Sequence, residues 1–124
     1  MAENKLSYVA FSPLNKGILL DKFDPENLPD FEEGDHRSVS PKFSQEALRL
    51  ANPKLDEIKK RFGDSIPDLA SIALRFVLSF SNVACVIPGF RNAYQVESNL
   101  TVTERRLSPG EIAFIKSVML APGN

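Results

Sequence analysis

The chain is poor in the residues that usually announce a metal or a disulfide: it has one cysteine, Cys85, and one histidine, His36. A lone cysteine excludes an internal disulfide, and with no His or Cys cluster around it no metal site is expected; a reduced, cytoplasmic setting is the natural one. The opening residues Met1–Lys5 lack the apolar core of a secretory signal, so none is expected. No run reaches the roughly 18 apolar residues that a membrane-spanning helix needs. Net charge is also missing. Fifteen basic residues against sixteen acidic ones leave a formal charge of -1, which gives no field to hold nucleic acid or an anionic membrane.

What is present is an ordinary globular composition, 43% hydrophobic and 25% charged over 124 residues, enough for one domain with its own core. Leu6–Phe11 is a short β-favouring run that stops at Ser12-Pro13, where proline denies a ladder its donor. It reads as a buried strand. Residues 12–43 hold Pro13, Pro25, Pro29, Pro41, Gly17 and Gly34 among acidic residues, and so read as a long loop of the kind that often carries function.

A helical pattern begins at Ser44. Pro53 should either kink it or force a fresh start capped by Asn52. Leu55, Ile58 and Phe62 share a face, and Gly63 ends the helix. Pro67 opens the next one, where Leu69, Ile72, Ala73, Phe76, Val77 and Phe80 make a wide stripe that predicts a well-buried helix. Along Lys54–Arg61 an exposed face is expected, with pairs such as Asp56 with Lys60 and Glu57 with Arg61.

Val83–Ile87 is a continuous apolar run ending at Pro88-Gly89, as in a strand covered on both faces of a parallel sheet; Cys85 inside it should be a small buried hydrophobe. Asn92 caps a short helix through Leu100. Ser108-Pro109-Gly110-Glu111 is a capping box that starts a last helix bearing Ile112, Ile115 and Met119. The order strand, loop, helix, helix, strand, helix, helix is that of an α/β protein with parallel strands. Two such strands do not make a sheet that is stable alone, so either more strands belong to it or another chain completes it.

Two segments after strands carry a resemblance. Ser12-Pro13-Leu14-x-x-Gly17 follows the first, and Ile87-Pro88-Gly89-x-Arg91-Asn92-x-x-Gln95-x-x-x-Asn99 follows the second. Together with Leu19–Phe23, Gly34–Arg37, Ala73–Leu78 and Leu107-Ser108 they resemble the aldo-keto reductase superfamily over nearly the whole chain. Members of that family are (β/α)₈ barrels that reduce aldehydes and ketones with NADP(H). The resemblance implies an α/β fold in which residues 1–124 form a single carboxy-terminal portion: the last two βα units of the TIM barrel plus the final helix. It also implies that the catalytic Asp, Tyr, Lys and His of the family come from earlier strands; Tyr8, Tyr94 and His36 match none of those motifs, and His36 reads as solvated.

The second motif has a physical logic. Gly89 lets backbone approach a phosphate, and the amides of the helix after Asn92 aim donors at the same place. Arg91 adds a permanently charged fork. By resemblance Arg91 would take the adenosine 2′-phosphate, favouring NADP over NAD, while Gln95 and Asn99 would bond the adenine. Ser12 and Leu14 would hold the pyrophosphate, Phe11 would stack on the nicotinamide, and Lys22 and Arg37 would belong to the loop that closes over the cofactor. Plainer readings stand beside these: Arg91, Lys22 and Arg37 as solvated charges, Phe11 as core, Gln95 as a capping-box residue, and Asn99 as a helix terminus without a ligand. Ser98 departs from the glutamate of many relatives, and Phe90 from a small residue. The expected function is the NADP(H)-binding portion of a carbonyl oxidoreductase, inactive alone. The alternative is a non-catalytic module, self-associating or nucleotide-binding.

Overall fold

The computed structural model describes residues 6–100 and 105–122; the start Met1–Lys5 lies outside the described residues. β1 spans Tyr8–Phe11 and β2 spans Val83–Ile87, and they pair in parallel with Val9 opposite Cys85, Ala10 opposite Val86 and Phe11 opposite Ile87. The register is irregular between Tyr8 and Val9. Between the strands run two helices, α1 (Gln45–Phe62) and α2 (Ile66–Leu78); after them come α3 (Ala93–Leu100) and α4 (Pro109–Met119). The expected α/β order is what forms, with a two-stranded parallel sheet.

The helix starts follow their capping chemistry. Ser44 Oγ accepts from the Ala47 amide at the start of α1. Ser65 with Asp68, and Ser108 with Glu111, form reciprocal capping boxes, each with proline in the first turn. Gly63 ends α1 at φ 107°, and its amide bonds the Lys59 carbonyl.

Pro53 does not break α1, which runs through it, so no fresh start occurs there and Asn52 is no cap. Its side-chain amide donates instead to the Phe23 carbonyl, tying the loop to the helix. On the solvent face the ion pairs are Lys59 with Asp56 and Lys60 with Glu57, three residues apart rather than four. Arg61 does not join Glu57 there, since its guanidinium lies over the Phe114 ring at 4.6 Å.

The core lies between α1, α2 and α4. Leu20, Ile58, Leu69, Ala70, Ile72, Leu107 and Ile115 are buried together. Leu48 and Leu74 are each 1% exposed, a burial that stabilises by roughly 2 kcal/mol per side chain. The α2 stripe is buried through Leu69 and Ile72 and half-buried at Phe76 and Val77, and Phe80 lies exposed beyond the end of the helix at Leu78. The sheet departs further from expectation. In β1 only Ala10 is buried, and in β2 Ala84, Cys85 and Ile87 are exposed. Cys85 is therefore not a buried hydrophobe. The physical reason is that α2 packs against β2, while no described element covers the remaining face of a sheet only two strands wide.

The long loop is not loose. Phe23, Phe31 and Phe43 form a triangle of edge-on rings with centroids 5.0 to 6.2 Å apart, a small aromatic core inside residues 12–43. Short 3-10 turns at Asn15–Leu20, His36–Val39 and Pro41–Phe43 shape it. Lys59 pairs with Asp21, and Lys42 donates to Asn15, fastening it further.

Candidate functional site

Because Phe11 and Ile87 are register partners, both motifs leave the sheet at the same edge, side by side. Ligands of parallel α/β sheets bind outside the carboxyl ends of the strands, which is where these segments emerge. Ser12 turns the chain sharply, with φ 53°, and its carbonyl accepts from the Asn15 amide. Leu14 is half-buried against the core, and its carbonyl accepts from the Gly17 amide at 2.9 Å. Phe11 is 72% exposed, so it is a free aromatic face at the sheet edge and not a core residue.

The second turn is tied to α3 by side chains. The Arg91 amide donates to Gln95 Oε1 at 2.6 Å, and the Gln95 amide donates to Asn92 Oδ1 at 2.9 Å. Asn92 is thus a helix cap as expected. Gln95 does reach back over its helix start, one residue earlier than a capping box would take it. Asn99 Nδ2 donates to the Gly89 carbonyl at 3.2 Å, so Asn99 also braces the turn. These bonds leave the Gln95 side-chain amide nitrogen and the Asn99 side-chain oxygen pointed at no bonded partner in them. A Cβ placed on Gly89 would meet nothing within 4 Å, and its φ is not positive. The space over Gly89 is open to a ligand.

Three cations from distant points of the chain converge here. Arg37 grips Asp35 with Nε at 3.0 Å and Nη2 at 2.6 Å, and its guanidinium lies 4.4 Å from the Phe31 ring centroid. Arg91 Nη2 stands 3.8 Å from the same Asp35 oxygen. Lys22 Nζ lies 5.7 Å from the Phe23 ring centroid, and that ring packs edge-on to the Phe31 ring beneath Arg37. The Lys22 pKa is lowered, first by partial desolvation and then by the charges of Arg37 and Arg91. Asp35 is held well below the usual carboxylate range, chiefly by the Arg37 side chain and then by the Arg37 amide. Three positive charges against one negative leave an excess for an anion. Asp35 is the residue that the sequence reading missed; its signal was its place two residues before Arg37, where an Asx turn also caps the 3-10 turn.

His36 is exposed, in keeping with a solvated residue. Ser98 is 4% exposed, with its hydroxyl donating to the Tyr94 carbonyl, so it faces the interior. Phe90 is 66% exposed beside the turn. A hollow of about 540 Å³ lies on the charged side of α1 at Asp56, Glu57, Lys59 and Lys60 and shares no residue with this edge. Among the described residues no group of three or more His, Cys, Asp or Glu could hold a metal, and no helix is long and apolar enough to cross a membrane.

Comparison with known proteins agrees with the motifs. The model of the Aldo/keto reductase family matches residues 1–119. An uncharacterized oxidoreductase of Mycobacterium tuberculosis is 33% identical over 106 residues, covering 86% of this chain and 31% of that protein, and one of Mycobacterium bovis matches equally. An aldo-keto reductase of Strobilurus tenacellus is 26% identical over 113 residues, covering 91% of this chain and 33% of its own length. The chain thus spans about a third of the length of the curated relatives it matches. With both motifs on one sheet edge and a family match running from residue 1 to residue 119, the chain belongs to the aldo/keto reductase family.

Proposed function

We propose that this chain is the NADP(H)-binding portion of an aldo-keto reductase-like oxidoreductase, equivalent to the last two βα units and final helix of a (β/α)₈ barrel. The observation that carries this reading is the convergence of Lys22, Arg37 and Arg91 beside the open Gly89 turn. A phosphate suits that place: a planar fork, further positive charge and a bare backbone are what an exposed phosphate needs. Arg91 holds the 2′-phosphate, and Lys22 and Arg37 close over it. Ser12 and Leu14 face the pyrophosphate, and Phe11 offers its exposed ring to the nicotinamide. Gln95 and Asn99 take the adenine with the side-chain atoms that the turn does not use.

When bound, the nucleotide supplies hydride chemistry, and this chain's residues position it. A general acid beside the carbonyl is also needed, and none of the residues at this edge matches the family's four. Binding without turnover is therefore expected of these 124 residues alone. The exposed Cys85 thiol fits a reducing, cytoplasmic setting. Titration of the purified chain with NADPH and NADH tests the reading. Saturable preference for NADPH, lost in Arg91→Ala, supports it. Equal weak binding of both nucleotides, unchanged by the substitution, refutes it.

A second reading follows from the sheet. Val9 is 49% exposed, Ile87 56% and Phe11 72%, an apolar strip on unpaired strand edges. The chain covers that strip by associating with itself or with a chain that completes the sheet. A strictly monomeric species in sedimentation, across a wide concentration range, counts against self-association.

A further inference from the structure

The three cations at the sheet edge have different degrees of order. Arg37 is fixed on two sides, by Asp35 below and by the Phe31 ring, and its side chain is only 16% exposed. The Arg37 backbone amide also donates to Asp35 Oδ1 at 2.9 Å. Arg91 has one loose partner, the Asp35 oxygen at 3.8 Å, and its side chain is 67% exposed. Asp35 itself is 17% exposed. One carboxylate therefore touches both guanidiniums, although Arg37 and Arg91 lie 54 positions apart in the chain.

Like charges held this close repel, and long side chains would splay to relieve the repulsion. A carboxylate between them removes that tendency and sets the angle of the Arg37 fork through two bonds. Asp35 is shared by two guanidiniums, with the Lys22 ammonium within reach of their field, and the positive surplus favours a phosphomonoester dianion over a singly charged diester or a neutral hydroxyl.

We infer that Asp35 is a positioning residue: it holds Arg37 and Arg91 aimed at one point and so gives this edge its preference for a phosphomonoester. The inference rests on the phosphate reading above. Asp35 is not a competitor for the ligand, because it already satisfies Arg37 while the exposed edge of Arg91 stays open. The lowered pKa of Lys22 is in keeping with a shared field at this point.

The test uses the full chain, with adenosine 2′,5′-bisphosphate and adenosine 5′-monophosphate as probes, measured by calorimetry for the parent, Asp35→Asn and Asp35→Glu. In parallel, the Arg37 Nε–H resonance is followed by NMR, since the Phe31 ring shifts it only while the guanidinium is held. Asp35→Asn should weaken the bisphosphate by about tenfold, the loss expected when one charge-assisted fork is no longer oriented, and leave the monophosphate within about twofold. Asp35→Glu should recover most of the loss, and the Arg37 resonance should collapse to an averaged position in Asp35→Asn alone. Bisphosphate binding that is unchanged or tighter in Asp35→Asn overturns the inference, as does an Arg37 resonance that stays in place. A parent chain without preference for the bisphosphate defeats the phosphate reading itself, and with it the purpose assigned to Asp35; the NMR result then still decides whether Asp35 holds Arg37.

Discussion

Gly63 should not tolerate a side chain, and the cost can be worked out from its surroundings. Its backbone lies at φ 107° and ψ 157°, a region that residues with a Cβ hardly enter, and holding alanine there costs about 1–3 kcal/mol. A Cβ at this position would also stand 2.7 Å from the carboxyl carbon of Asp68, with a carboxyl oxygen closer still. Asp68 cannot simply swing away, because it accepts from the Ser65 amide as half of the α2 capping box. Losing that half costs about 1 kcal/mol more. Against this, alanine restricts the unfolded chain and returns about 0.4–1 kcal/mol. The net expectation for Gly63→Ala is a loss of roughly 1–3.5 kcal/mol.

Urea unfolding followed by circular dichroism measures it through the shift of the midpoint at constant slope. The attribution is tested by repeating the substitution in an Asp68→Ala background. There the carboxyl is gone and only Asp68 Cβ at 3.2 Å remains, so Gly63→Ala should cost about 1 kcal/mol less. A loss below about 0.5 kcal/mol in the parent, or the same loss in both backgrounds, refutes the steric argument.

Gly89 is the opposite case: with nothing within 4 Å and no positive φ, Gly89→Ala should leave stability within about 0.5 kcal/mol, yet its methyl group should obstruct a phosphate and weaken NADPH binding. Thermal melts paired with nucleotide titration check both halves. Glu111 has its pKa lowered, first by the Ser108 amide and then by Arg105, so its contribution to stability is complete above the usual glutamate value of about 4.3 and is lost as pH falls through the lower folded value. Glu111→Gln should therefore flatten the acid side of a stability–pH curve measured by urea unfolding, and an unaltered slope would count against the capping role.

The helices were legible because their signals are local. Ser108 and Gly63 act through neighbours three or four residues away, and each lies where its spacing put it. The fresh start weighed at Pro53 does not occur, because packing holds α1 together on both sides of the lost amide bond; Leu48 and Leu55, on either side, are both buried. Cys85 misled for a different reason. A continuous apolar run says that a strand can be covered on both faces, and whether it is covered depends on strands that the run does not contain. The candidate site residues came from motifs and resemblance, and local spacing could not join them: Lys22 and Arg37 lie on the long loop and Arg91 on the turn after β2, and no spacing rule links the two.

The order of the loop decides whether such a site can exist at all. Lys22 and Arg37 stand on a 32-residue stretch, residues 12–43, that periodicity reads only as punctuation. A stretch that long would scatter its charges if it were free, since ordering each residue costs about 1–2 kcal/mol of backbone entropy. Here the Phe23, Phe31 and Phe43 triangle replaces part of that cost with aromatic burial, and it does so next to the charges: Phe31 lies under Arg37, and Phe23 lies beside Lys22. The same rings that order the loop thus orient its cations, while Asn52 and Lys59 anchor it to α1 from the other side. The parallel register of Phe11 with Ile87 then sets the turn bearing Arg91 at the same edge as the strand that opens the loop. The anion site proposed for this edge would depend on the loop core as much as on its charges, so the aromatic triangle would serve that binding as well as stability.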